Sequence, residues 1–227
     1  MIFNLDVLKI DPAQQLEKLS KFIVEQVNVV FRRKGVIVGL SGGIDSACIA
    51  AVAVHAIGKE RVVGLVLPET ESNPISSEYA IKHAQALGIE HRQINITPTV
   101  DSVVHYKWRD EFMQKLILDY KPGYKYNITL PIDLLERDSF NFYSLQVQMP
   151  GGEIKKKRLN LEEFRTITSF ANIKIRARML HLYAEAERRN LLVVGTTNRI
   201  EFIYLIFVEI GERLNISATI TIFAEIS

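Results

Sequence analysis

The chain has 227 residues, with 28 Lys and Arg against 26 Asp and Glu. Its formal net charge of +2 is too small to argue for a nucleic-acid partner. A 48% hydrophobic content can bury a sizeable core as one domain, and no stretch approaches the ~18 consecutive apolar residues of a membrane span. One Cys excludes an internal disulfide framework, and it leaves the five His without a metal-cluster spacing.

The opening MIFNLDVLKIDPAQQ lacks a basic segment ahead of a long apolar run, so no secretory signal is read there and the expected address is the cytoplasm. Asp11-Pro12 has the form of an N-cap and first helical residue, with Gln14 placed to complete a capping box. In the helix that follows, Leu16, Leu19, Phe22, Ile23, Val27, Val30 and Phe31 recur at three- and four-residue spacings and predict one apolar face laid on a sheet. A strand over 35–40, a helix to about Ile57, a strand over 61–67, a helix over 76–87 and a strand over 90–96 come next. This alternation predicts parallel βαβ units with helices on both faces, the strands being near-continuous apolar runs.

Residues 97–170 break the alternation. A helix is expected over 105–120, and β-forming segments over 124–131 and 140–149. Pro150-Gly151-Gly152 marks a hairpin turn into the basic run Lys155 to Arg158. Alternation along that return strand points some of the cations outward, as suits a solvated edge, and leaves phosphate or partner contact as the other reading. From Asn172 the string NIKIRARMLHLYAEAERRN is helical, and Leu191–Val194 is a buried strand that turns at Gly195-Thr196-Thr197-Asn198. Ile175, Met179, Leu182 and Tyr183 read as core. Arg176 and Arg178, two apart, cannot share one helical face.

The chemistry centres on Gly39-Leu40-Ser41-Gly42-Gly43-Ile44-Asp45-Ser46, which joins the apolar strand GVIVGL to the alanine-rich helix ACIAAVAVHAIG. A strand-to-helix turn offers an anion free backbone N–H groups and the positive end of the helix dipole. Gly42 and Gly43 permit close approach of phosphates, and Ser41 and Ser46 add hydroxyl donors. The lysine of the GxxxxGK[ST] loop is absent, which argues against a kinase or GTPase. Asp45 instead brings a carboxylate beside the phosphates, as a Mg²⁺ ligand would be, and Glu201 brings a second from beyond the later strand. Asp and Ser acting as ordinary helix caps is the plainer alternative. Val66, Leu67 and Pro68, at the same sheet edge, suit either the walls of an adenine site or strand-end packing. Cys48, among alanines, reads as a small buried residue.

SGGIDS resembles the pyrophosphatase loop of the N-type ATP pyrophosphatases. Together with N-x-K-x-R-x-R-M at 172–179 and G-T-T-x-x-x-E at 195–201, it is similar to the NAD synthetase family over about residues 15–211. The resemblance implies an α/β, doubly wound, mainly parallel sheet of the adenine nucleotide alpha hydrolase type in one domain, from which an inserted β-hairpin segment at about 105–170, longer than in compact family members, and an atypical tail at about 205–227 depart. It implies ATP bound by Gly39, Ser41, Gly42, Gly43, Ser46 and Thr196, with Asp45 and Ser46 catalytic. Mg²⁺ would lie on Asp45 and Glu201, and a dinucleotide substrate on Arg176. The implied reaction adenylates the nicotinate carboxylate of deamido-NAD, releases pyrophosphate, and uses ammonia from solution or a separate donor to form the amide, in a homodimer. Two departures stand out. Glu209 occupies the place of a family lysine, a charge reversal beside an anionic dinucleotide, and Arg213 replaces a glycine. The tail LNISATITIFAEIS lacks the family's lysine-bearing end, so the sequence reads as a truncated or altered relative, and Ile216–Phe223 as a strand, a dimer contact or an aggregation-prone segment. Two other classes are compatible with these departures: an adenylating ligase acting on another carboxylic acid, and a catalytically impaired nucleotide-binding fragment.

Overall fold

A computed structural model describes residues 11–104, 106–129 and 143–196 and the backbone of 219–221. The chain divides into two compact units, one formed by the segments up to Thr97 and from Ile175 onward, the other by Pro98–Lys174.

In the first unit, helix α1 (Pro12–Glu25) starts where Asp11 accepts hydrogen bonds from the N–H groups of Ala13 and Gln14 and Pro12 takes the first helical position. It runs into a π turn over Gln26–Val30, closed by Phe31 N–H donating to the Gln26 carbonyl. That wider turn inserts a residue into the helical register, so Ile23 and Val27 are buried while Val30 swings out to solvent. Phe22, also expected on the apolar face, is partly exposed.

Strands β1 (Gly35–Gly39), β2 (Val62–Val66), β3 (Glu90–Gln93) and β7 (Leu191–Gly195) pair in parallel, and β8 (Thr219–Thr221) joins β7, giving the order β3-β2-β1-β7-β8. The strand found at 219–221 corresponds to one reading of the apolar tail. Helix α2 (Ile44–Ile57) crosses from β1 to β2, and α3 (Pro74–Leu87) from β2 to β3. Val36, Val38, Leu192 and Val194 lie in one core with Ile23, Val27, Ala50, Ala53 and Ala84, so α1, α2 and α3 cover one sheet face. On the other face a Cβ at Gly39 would stand 3.2 Å from Leu182, which belongs to the long helix α6 (Leu161–Arg189). The sheet is therefore covered on both faces, which is why β1, β2 and β7 read as unbroken apolar runs. Asn190 ends α6 at φ 57. Its carbonyl accepts from Lys34 N–H and its side-chain oxygen from Arg33, which brings the start of β7 beside the start of β1.

The second unit contains most of helix α4 (Thr97–Val104), helix α5 (Tyr106–Leu116) and an antiparallel sheet of β4 (Lys125–Thr129), β5 (Ser144–Gln148) and β6 (Ile154–Arg158). The expected hairpin turns at Pro150–Gly152, with Met149 N–H donating to the Glu153 carbonyl. Along β6, Lys155 pairs with Asp119 and Lys157 with Glu163 at 2.9 Å, while Lys156 and Arg158 are exposed on the opposite face. Met113, Ile117, Tyr120, Leu145, Val147 and Ile167 form this unit's own core. At its margin Arg109, 2% exposed, meets the Asp110 carboxylate at 2.7 Å, and the Tyr120 hydroxyl donates to the same oxygen at 3.0 Å. Burial, with smaller help from Asp110, pushes the Tyr120 phenol above its ordinary range.

α6 begins at Leu161, well before the Asn172 expected from sequence. Asn160 and Glu163 form a reciprocal capping box, each backbone N–H donating to the other's side chain at 2.8 and 3.0 Å.

Two outcomes are expected in denaturant unfolding. Tyr120→Phe lowers stability by ~1 kcal/mol through loss of one buried hydrogen bond, and Asp110→Ala by ~3 kcal/mol, because it removes an anionic partner of a buried guanidinium. The hydrogen bond from Lys157 holds the Glu163 carboxyl below its ordinary value, so its contribution is complete above about pH 4.5 and is lost as pH falls through the lowered folded value. Glu163→Gln should flatten that acid limb; an unchanged acid transition would show that this carboxylate is not stabilising.

Candidate active site

The topology locates the site. From β1 the chain moves outward through β2 and β3, then returns to β7 on the opposite side of β1. The loops leaving β1 and β7 therefore diverge, and ligands of doubly wound sheets bind in the crevice that such a switch point opens. A cavity of about 450 Å³ lies there, bounded by Gly39–Ser41, Leu65–Pro68 and Val193–Thr196, with Ser72, Asn73, Ser76 and Ser77 from the start of α3 and Ile175, Arg178, Met179 and Leu182 from α6.

The loop after β1 is held by its own serines. The Ser46 hydroxyl accepts from Ser41 N–H at 3.2 Å, lies 3.1 Å from the Ser41 hydroxyl, and donates to the Gly43 carbonyl at 3.0 Å. Ser41 in turn accepts from Gly43 N–H. Ser46 is 3% exposed, so in this conformation its hydroxyl serves the loop. Gly43 is the N-cap of α2, and no side chain among the described residues caps that helix. Ordinary capping by Asp or Ser is thus absent, and the first-turn N–H groups of α2 are left for an anion. Gly42 sits at φ 80, and a Cβ there would come within 2.2 Å of the Ser76 carbonyl oxygen, so the loop is clamped against α3 where only glycine fits.

The carboxylate of Asp45, in that first turn, is exposed and makes no hydrogen bond or ion pair among the described residues. An open carboxylate beside N–H donors suits a hard divalent cation that bridges to phosphate oxygens. Glu201, the other expected ligand, lies outside the described residues, as do Glu209 and Arg213. Among the described residues no cluster of three acidic, His or Cys side chains forms a metal site by itself.

Gly39, Ser41 and Thr196 border the cavity. Arg176 does not; Arg178 does. Two residues along a helix turn a side chain by ~200°, so one arginine faces the cavity and the other faces away from it. The Arg178 Nε donates to the Leu67 carbonyl at 3.2 Å. Ile175, Met179 and Leu182, read from sequence as core, wall the cavity instead, and Val66, Leu67 and Pro68 do so as well. The start of α3 was not anticipated as part of the site. Its signal was Asn73-Pro74, where Asn73 accepts from Ile75 N–H and Pro74 takes the first helical position. Cys48 is exposed on α2 rather than buried, because the inward face of that helix is filled by Ser46, Ile49, Ala50 and Ala53.

Comparison with known proteins agrees with the motifs. The profile of the NAD synthase family matches residues 15–119 and 134–212. An NH3-dependent NAD+ synthetase of Rhizobium meliloti is 36% identical over 212 residues, covering 93% of this chain and 63% of the relative. One from Thermotoga maritima is 34% identical, covering 87% of this chain and 64% of the relative. The chain thus spans less than two thirds of the length of these relatives. Among solved structures, an NH3-dependent NAD synthetase from Campylobacter jejuni in complex with nitrate ion superposes with a TM-score of 0.53 at 26% identity, covering 85% of this chain and 59% of that one. With the parallel sheet, the loop at its switch point and a profile match along most of its length, the chain belongs to the NAD synthase family.

Proposed function

We propose that this chain carries the ATP-pyrophosphatase centre of an amide-forming ligase that makes NAD from deamido-NAD, ATP and ammonia. The observation that carries this reading is the uncapped N-terminus of α2 beside a switch-point cavity, on a chain whose relatives bear the name NH3-dependent NAD+ synthetase.

In the first half-reaction a nicotinate carboxylate oxygen attacks the α-phosphorus of ATP and pyrophosphate departs. In the second, ammonia attacks the activated carbonyl carbon and AMP leaves. Negative charge grows on the pyrophosphate, and the N–H groups at the start of α2, fixed in advance by the Ser41–Ser46 hydrogen bonds, stabilise it without reorganisation. Ser46 acts here by ordering the loop, while Gly39, Gly42 and Gly43 admit the phosphates and Ser41 and Thr196 supply hydroxyl contacts at the rim. Asp45 and Glu201 would hold Mg²⁺, which neutralises phosphate charge when bound. Arg176 belongs on the dinucleotide side, away from the ATP cavity. The nucleophile arrives with the substrates, so no Ser–His or Cys–His pair is required. A homodimer, a separate ammonia donor and a cytoplasmic address complete the reading. Its support is the family membership; the described residues contain no helix long and apolar enough to cross a membrane.

The test is ATP-dependent pyrophosphate release with Mg²⁺, ammonia and deamido-NAD. Release should require deamido-NAD and fall by at least ~10²-fold in Asp45→Ala, while ATP binding without release under all conditions would reject the ligase reading. Gly42→Ala should lower stability by ~1–3 kcal/mol and weaken ATP binding, since the loop must retreat from Ser76; wild-type thermal melting and affinity would remove the clamp from the account.

A further inference from the structure

We infer that Arg178 is the residue that selects adenine, by donating to the ring nitrogen N7 while the Leu67 carbonyl accepts from the exocyclic amino group. The inference rests on the cavity being the nucleotide site proposed above. Arg178 was not singled out as a ligand by its motif; its geometry singles it out. It stands on the inward face of α6, lines the cavity, and donates from Nε to the Leu67 carbonyl oxygen at 3.2 Å. Its Nη groups meet no acceptor among the described residues. Leu67 follows the end of β2, at the carboxyl edge of the sheet where bases are expected, and is itself buried.

The pairing has chemical content. The Leu67 carbonyl has two lone pairs, and Arg178 occupies one of them. The remaining lone pair calls for a donor, and the guanidinium beside it calls for an acceptor. Adenine presents that pair on one edge, the 6-amino donor next to the N7 acceptor. Guanine presents two acceptors there, O6 and N7, an edge that a free arginine grips in bidentate fashion. Tethering Nε to the carbonyl prevents that grip and leaves O6 facing the Leu67 oxygen. One hydrogen bond between α6 and the residue that follows β2 thereby converts a residue type that favours guanine into one that favours adenine. Ile175 and Met179, from the same helix, supply the apolar wall for the ring face.

The experiment is equilibrium binding of Mg²⁺ complexes of ATP, 7-deaza-ATP and GTP to the full chain, wild type and Arg178→Met, with Arg178→Lys as a second variant that keeps the charge but not the fork. Wild type should bind 7-deaza-ATP ~10-fold more weakly than ATP, the equivalent of one charge-assisted hydrogen bond, and GTP more weakly still. Arg178→Met should bind ATP and 7-deaza-ATP alike and discriminate less against GTP; Arg178→Lys should recover only part of the preference. Equal wild-type affinity for ATP and 7-deaza-ATP overturns the inference, and that comparison needs no variant to fold. So does a 7-deaza penalty that persists in Arg178→Met. Pyrophosphate release measured alongside separates the two proposals. Discrimination without release leaves this inference standing and rejects the ligase reading, whereas release without discrimination does the reverse. Absence of ATP binding overturns both.

Discussion

The start of α2 is a helix terminus that the protein leaves open. Serines that would ordinarily cap it are turned inward, with the Ser46 hydroxyl holding Ser41 N–H and the Gly43 carbonyl, and Gly43, with no side chain, occupies the N-cap. The helix therefore keeps its orphan donors and its positive dipole end at the sheet's carboxyl edge. The rest of the first unit supports that opening. β1 is central in the sheet, α1 and α3 pack with α2 on one face, and the Ser76 carbonyl leaves no room for a side chain at Gly42. The hydrogen bonds of the loop are in place without a ligand, the arrangement that the proposed stabilisation of charge by N–H dipoles requires.

Much of this was legible in the sequence because the signals were local or strictly periodic. The apolar runs at 35–40 and 191–194 became β1 and β7, and the Pro-Gly-Gly turn became the β5–β6 hairpin, since turn chemistry and strand burial both act over a few residues. The loop between β1 and α2 was readable for the same reason. Three features were not recovered. The π turn after α1 has no compositional mark, and it displaced Val30 from the face that simple spacing assigned to it. The first turns of α6 carry a local signal in the capping box of Asn160 and Glu163, but the β-branched Thr166, Ile167 and Thr168 that follow do not favour a helix. Cys48 was read from its alanine neighbours, yet which side of α2 faces the core is decided by packing against β1 and α1.

The site was legible in part. Spacing alone established that Arg176 and Arg178 diverge, but not which one meets the switch-point cavity, because that depends on how α6 is rotated about its own axis. Leu182 against Gly39 and Arg178 on the Leu67 carbonyl fix that rotation. Ile175, Met179 and Leu182 illustrate the same point: an apolar stripe serves equally as core or as the wall of a cavity, and only the neighbouring elements distinguish the two.

The order of assembly during synthesis follows from the way the first unit is interrupted. Its central strand β1 emerges early and pairs with β2, but its other neighbour, β7, lies beyond the whole Pro98–Lys174 unit. Until the ribosome has made that unit, β1 has an unpaired apolar edge, the kind of surface that recruits other chains. The second unit is continuous in sequence and has its own core, so it can fold while β1 waits. The nascent protein is then most exposed to misassembly not at its longest unfolded stage but in the interval before Leu191–Gly195 arrives, and a chaperone that shields apolar strand edges would act on it there.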